Sequence, residues 1–148
     1  MRSIDLCIAS VAVLVALGAS APDAAAQQFP PVREIRAHRA NYRARASRPI
    51  RRIVIHTTEG SERSCVNTFR NPSSRVSAHY LVSKLGRITR FVPDMSVAYH
   101  ARRYNSDSIG IENEGRADQN GWTTAQYRSL AALVRGLCDR YRIPKDRQ

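Results

Sequence analysis

Residues 50–58 read IRRIVIHTT and residues 108–115 read SIGIENEG. Each opens as a short β-branched run and ends in a side chain able to do chemistry, His56 in the first and Glu112 in the second. Such runs predict buried strands of a central sheet. The polar residue at the end of each then emerges at the sheet edge, where α/β proteins place their ligands. Between the two runs, Ser61 starts a short helix with Val66 and Phe69 on one face, closed by Asn71-Pro72. Val76 to Ser83 (VSAHYLVS) alternates, Lys84-Leu85-Gly86-Arg87 turns, and Ile88 to Val92 returns, which predicts a hairpin. After the second run, Thr123 and Gln126 stand at capping-box spacing. They open a helix whose apolar face is Tyr127, Leu130, Ala131, Val134, Leu137, Cys138 and Tyr141, with Pro144 beyond its end. The order strand, helix, hairpin, strand, helix predicts a single α/β or α+β domain built on a central sheet.

The chain has 148 residues, with 24 Lys+Arg against 12 Asp+Glu, a formal net charge of +12 and a pI near 10.8. That length excludes a multidomain enzyme. The charge calls for an anionic partner without choosing among nucleic acid, a lipid surface and an acidic wall polymer. Residues 1–26 make the choice. Arg2 precedes an uncharged run from Leu6 to Pro22, and Ala24-Ala25-Ala26 follows, the n-region, h-region and A-x-A pattern of a secretory signal peptide. Seventeen uncharged residues also reach the lower limit of a membrane span, but the alanine-rich ends and the A-x-A favour cleavage after Ala26. The expectation is an exported monomer, periplasmic or extracellular, with no membrane anchor after cleavage. It meets no nucleic acid, and its anionic partner belongs to the cell envelope.

Residues 27–49 hold six arginines and one acid, Glu34, and their apolar residues are mostly alanine. They read as a basic, weakly structured arm, either a solvated linker or a docking segment for an anionic wall or outer-leaflet surface. Residues 50–148 form the domain. Cys65 and Cys138 permit one disulfide or two buried thiols, and spacing leaves both open.

Of the four histidines, His38 falls in the arm and reads as solvated. His56 ends a buried strand and can offer an imidazole nitrogen to a metal. Glu112 ends another, with Glu114 two residues on; a carboxylate in a half-buried cleft has its pKa raised and can serve as a general base. Taken alone, each also fits a bland role: a satisfied core histidine, and a surface acid paired to one of many arginines.

The blocks IVIHTTEGS, RVSAHYLVSKLGRITRFVPDMSVAYHA and NSDSIGIENEG, from Ile53 to Gly115, resemble the zinc-dependent N-acetylmuramoyl-L-alanine amidase family, which includes phage lysozyme-like amidases and peptidoglycan recognition proteins. The resemblance extends into the following helix. It implies a central mixed sheet flanked by helices, and a peptidoglycan hydrolase that cleaves the amide between N-acetylmuramic acid and L-alanine with a zinc-activated water. It also implies a role for particular residues. His56 would be a zinc ligand and Glu112 the catalytic carboxylate, while His79, Tyr80, His100 and Asn105 would line or shape the substrate groove.

The chain also departs from the family pattern. The family's other two zinc ligands lie in a G-H-S-x-x-x-P stretch and a K-x-D-P-G stretch after the long helix, and this sequence ends at RIPKDRQ, before either. The expectation is weak zinc binding and little amidase activity for the 148 residues as written, or alternatively a noncatalytic peptidoglycan-binding module. Arg102, Tyr99 and Leu85 stand where the family usually has Gly, Trp and Asp.

Overall fold

A computed structural model describes residues 29–119 and 121–145. The signal-peptide reading and the last three residues of the closing RIPKDRQ lie outside these residues. Seven strands and two helices follow in the order β1 (Arg33–Glu34), β2 (Tyr42–Ala44), β3 (Arg52–Thr57), α1 (Glu62–Arg70), β4 (Tyr80–Val82), β5 (Ile88–Arg90), β6 (Ser96–Ala98), β7 (Ser108–Asn113) and α2 (Thr124–Tyr141). Short 3-10 turns occupy Arg39–Asn41 and Arg102–Asp107. The main sheet is mixed, in the order β1-β5-β4-β7-β3, and β2 and β6 form a separate antiparallel pair. β7 runs parallel to both β3 and β4, and β4 and β5 form an antiparallel hairpin.

The alternation of side chains across β7 sorts the molecule into two layers. Ile109 and Ile111 point to one face, where they join Tyr80, Val82, Leu130, Leu133 and Leu137 under α2. The other face carries Ser108, Gly110 and Glu112, beside a second cluster in which Leu81 and Phe91 pack on Cys65 and Phe69 of α1. Phe69 meets Phe91 edge to face at 5.1 Å, and full burial of such a ring contributes about 1.5–3 kcal/mol. Cys65 and Cys138 are therefore in different clusters, and both are buried free thiols.

Both helices start and stop where their sequences direct. Ser61 caps α1 by accepting from the Ser64 amide at 3.2 Å, and the amide of Asn71 closes it on the carbonyls of Asn67 and Thr68. Thr123 and Gln126 form the reciprocal capping box of α2. Trp122 and Tyr127, with ring centroids 5.6 Å apart, staple the entry. The buried face of α2 is centred on Leu130, Leu133 and Leu137, and Tyr127 stays 54% exposed. Gly86, at φ +76°, turns the hairpin against α2; an added Cβ there would lie 2.8 Å from Ser129 Oγ and 2.9 Å from the Ala125 carbonyl oxygen.

Two sequence expectations are corrected. β3 is an edge strand, with Ile55 44% exposed, whereas β7 is flanked on both sides, by β3 and β4. A β-branched run reports burial of faces, and it carries no information on whether the strand has one neighbour or two. The supposed arm is also built into the fold. β1 pairs with β5, the amides of Ile35 and Ala37 continue that ladder to the carbonyls of Arg90 and Phe91, and Glu34 pairs with Arg90 at 2.7 Å. Asn41 is fully buried: its Nδ2 donates to the carbonyls of Phe69 (2.8 Å) and Asn71 (2.9 Å), and its Oδ1 accepts from the Arg75 amide (3.0 Å). One amide side chain thus straps the segment to the end of α1.

Candidate active site

His56 and Glu112 are register partners in the parallel β3–β7 ladder, so they stand side by side near the carboxyl ends of adjacent strands and on one face. Gly110 lies two residues before Glu112, on the same face. The absence of a side chain there makes room for His100, whose ring atoms would be 2.5–2.7 Å from a Cβ at position 110. His100 is held in turn by Asn105, whose Oδ1 accepts from the amides of His100 (3.1 Å) and Ala101 (2.6 Å). Asn105 shapes the loop at this site by fixing its backbone.

The hydrogen bonds of this cluster run in one direction. Ser108 Oγ donates to the Tyr104 carbonyl at 2.6 Å, so toward His100 it acts as acceptor, taking the Nε2 proton at 3.1 Å. His100 Nδ1 then carries the lone pair and accepts His56 Nε2–H at 3.0 Å. That assignment, made from the network, leaves Nδ1 of His56 as the bare nitrogen. Burial lowers the pKa of His56. His100 falls to about 3, through burial first and then the neighbouring His79, His56 and Arg45. The relay is neutral imidazole throughout the physiological range.

Glu112 is the opposite case. Burial above all, and Glu59 secondarily, push its carboxyl up to about 7, and its Oε2 is buried with no hydrogen-bond partner. Glu59 itself sits at φ +53° just past β3, its Oε1 accepting from the Ala117 amide at 3.1 Å. A carboxyl with a pKa near neutrality and a free oxygen is suited to take and return a proton at neutral pH. Glu114 has a different task. Its two oxygens accept from the amides of Glu62 (3.0 Å) and Lys84 (2.8 Å), tying β7 to the start of α1 and to the hairpin turn.

His79 and Tyr80 are corrected as groove residues. Both are wholly inaccessible. His79 accepts from the Gly110 amide at Nδ1 (3.0 Å) and faces the Ser96 carbonyl with Nε2 (3.2 Å); burial drives its pKa to about 3. Its ring replaces a backbone partner in the ladder, which explains why β4 begins only at Tyr80. Tyr80 points to the α2 face and donates to Asp94 at 2.6 Å, where Tyr141 also donates, at 2.7 Å. Each is reached by the sequence block that suggested it, yet each supports the site from within. Ser108, Gly110 and Glu59 were not singled out in the sequence. Only the period-2 spacing of Ser108, Gly110 and Glu112 marks the first two.

Among the described residues, no group of three or more His, Cys, Asp or Glu side chains is arranged to hold a metal ion. The free Nδ1 of His56 is one donor where a zinc site needs at least three from protein. The described residues therefore do not by themselves fit a resident zinc.

A mixed sheet with one helix on each face, and an imidazole beside a neutral-range carboxyl at its strand ends, define an α/β domain with one candidate site for proton transfer. The family model for N-acetylmuramoyl-L-alanine amidase matches residues 46–148, and the chain belongs to that family. It is 41% identical over 103 residues to N-acetylmuramoyl-L-alanine amidase A of Achromobacter lyticus, covering 68% of this chain and 58% of that protein. It is 45% identical over 75 residues to 1,6-anhydro-N-acetylmuramyl-L-alanine amidase AmpD of Escherichia coli (strain K12), covering 45% of this chain and 40% of that protein. The chain thus spans about half the length of these relatives. Among solved structures it superposes on a selenomethionine derivative of AmpD with a TM-score of 0.65 at 29% identity, over 78% of each chain. Drosophila Peptidoglycan Recognition Protein (PGRP)-SA gives a TM-score of 0.65 at 16% identity, over 78% of this chain and 76% of that one, a likeness of fold.

Proposed function

We propose that this chain is a peptidoglycan hydrolase of the N-acetylmuramoyl-L-alanine amidase type. The bond cleaved joins the lactyl carbonyl of N-acetylmuramic acid to the amine of L-alanine. The observation that carries the reading is the shared rung of His56 and Glu112, with Glu112 raised to about 7. Ionised Glu112 takes a proton from the attacking water as the oxygen bonds to the carbonyl carbon. Protonated, it then delivers that proton to the departing alanine nitrogen as the C–N bond breaks, so the carboxylate is regenerated. His56 is kept neutral by burial and oriented by His100, itself anchored by Ser108.

Family membership implies zinc, which when bound supplies a Lewis acid for the carbonyl and an acidified water. His56 Nδ1 would be its contact in this chain. With one such donor among them, the described residues by themselves hold zinc weakly and support slow turnover. The shortage of donors also favours a second reading, a noncatalytic peptidoglycan-binding module. Peptidoglycan pull-down run beside mass spectrometry of the released fragments separates the two: stem peptides with a free L-alanine amino terminus support the amidase, and retention without release supports the binding module. On the reading of residues 1–26 as an export signal, the chain acts as a monomer in the periplasm or outside the cell.

A further inference from the structure

Two adjoining hollows lie at the end of the sheet opposite His56 and Glu112. The first, about 330 Å³, is lined by Arg43, Arg45, Ala46, Arg48, Val97 and Ser106. The second, about 400 Å³, shares Arg48 and adds Met95, Arg140, Tyr141 and Arg142. Arg48 leads into β3 and Ser106 precedes β7, so both hollows sit where those strands begin and the candidate active site sits where they end.

The charges here are fixed and largely unanswered. Arg45 forms the floor: its guanidinium donates to the carbonyls of Ser106 (2.6 Å), Ser96 (2.9 Å) and Ser108 (3.0 Å). It is thereby positioned with no direct ion pair, although the charges of Asp107 and Asp94 act on it through space. Arg43, Arg48 and Arg142 are exposed and form no ion pair with a carboxylate among the described residues. The nearby acids are already engaged, Asp94 with Arg140 and Tyr141 of the second hollow. Asp107 pairs with Arg52 at 3.0 Å, and Asp94, only 4% exposed, accepts from Tyr80 and Tyr141 with Arg140 at 3.8 Å. No carboxylate lines either hollow.

We propose that this arginine trough binds a phosphate-bearing anionic polymer that lacks nucleobases, with successive phosphates seated in the two hollows on either side of Arg48. Guanidinium forks match phosphate oxygens in pairs, which a lysine face would not do. The concave shape favours discrete groups on a flexible chain over a flat bilayer. A nucleic acid would need aromatic faces for its bases; the one ring lining the trough, Tyr141, has its hydroxyl committed to Asp94. The inference uses no residue of the candidate active site and stands whether or not the chain is an amidase.

The test uses the full chain and inorganic polyphosphate as the probe, with affinity measured by titration calorimetry at several salt concentrations. The triple variant Arg43→Ala/Arg48→Ala/Arg142→Ala is compared with a control of equal charge loss, Arg36→Ala/Arg70→Ala/Arg128→Ala, at exposed sites elsewhere. Circular dichroism melting shows that both fold. The trough variant is expected to lose at least about tenfold in affinity and to flatten the salt dependence by about three counterions, while the control changes by less than about threefold. Equal losses in both variants, or no binding by the unaltered chain, overturn the proposal. So does tighter binding to single-stranded DNA than to polyphosphate, or binding to anionic phospholipid vesicles that polyphosphate does not displace.

Discussion

His56 and Glu112 occupy the same rung of the β3–β7 ladder, and they respond to burial in opposite senses: His56 is held neutral by a lowered pKa and Glu112 by a raised one. Near pH 7 the carboxyl is divided between its two forms while the imidazole stays unprotonated. A proton can therefore be taken up and released at Glu112 without a competing charge beside it.

That shift has a stability consequence of definite sign. The folded carboxyl titrates near 7 and the unfolded one near 4.5, so between those values the folded state binds more protons. Raising the pH through this window favours unfolding, and stability is lost from about 4.5 upward, by at most about 3 kcal/mol once past 7. Glu112→Gln removes this dependence. Urea melts of both proteins from pH 4 to 8 should show the variant gaining on the parent as pH rises, with no gain at the acid end.

Gly110→Ala tests the seat of His100. The new Cβ would lie 2.5 Å from the imidazole, so the ring must leave and its bonds to His56 and Ser108 must break. The expected loss is about 1–3 kcal/mol in denaturant unfolding, with the His56 ring signals in NMR shifting to those of a solvated imidazole.

Asn41→Ala tests the strap. It removes the Nδ2 bonds to the Phe69 and Asn71 carbonyls, which keep their bonds from the His38 amide and from Ser74, and it takes the acceptor from the Arg75 amide; each lost bond costs about 0.5–1.5 kcal/mol net, and the unmet amide about 1–3 kcal/mol. A destabilisation of about 2–4 kcal/mol by denaturant unfolding is expected, against less than about 0.5 kcal/mol for alanine at the neighbouring exposed Arg39.

Cys65 and Cys138 should resist alkylation in the native protein and react fully once it is unfolded. Both thiols are buried, and burial raises the pKa of each, leaving little thiolate. Rapid labelling of either one under native conditions would contradict the packing of that helix.

The elements that proved legible in the sequence carry their own signals. Ser61 and Thr123 announce helix starts because a cap is a local bond, and the β-branched residues of β3 and β7 announce strands because such side chains pack well on a pleated sheet, whether or not both faces are covered. The basic segment gave no such signal. It is held by Asn41, by backbone ladders to β5 and β6 and by the carbonyls around Arg45, none of which appears as an apolar pattern. The structure brings together His56, Glu112, His100 and Asn105, each singled out in the sequence. The inward turn of His79 and Tyr80 could not be read there, because strand alternation assigns a face and leaves open whether that face is covered.

The most direct test of the account is the chemistry at Glu112. Purified peptidoglycan is incubated with the full chain and excess zinc, and stem peptides with a free L-alanine amino terminus are quantified by mass spectrometry over time. The account predicts slow release by the parent chain and a decrease of about 100-fold or more in Glu112→Gln. No release by the parent chain, or equal release by both, would contradict it.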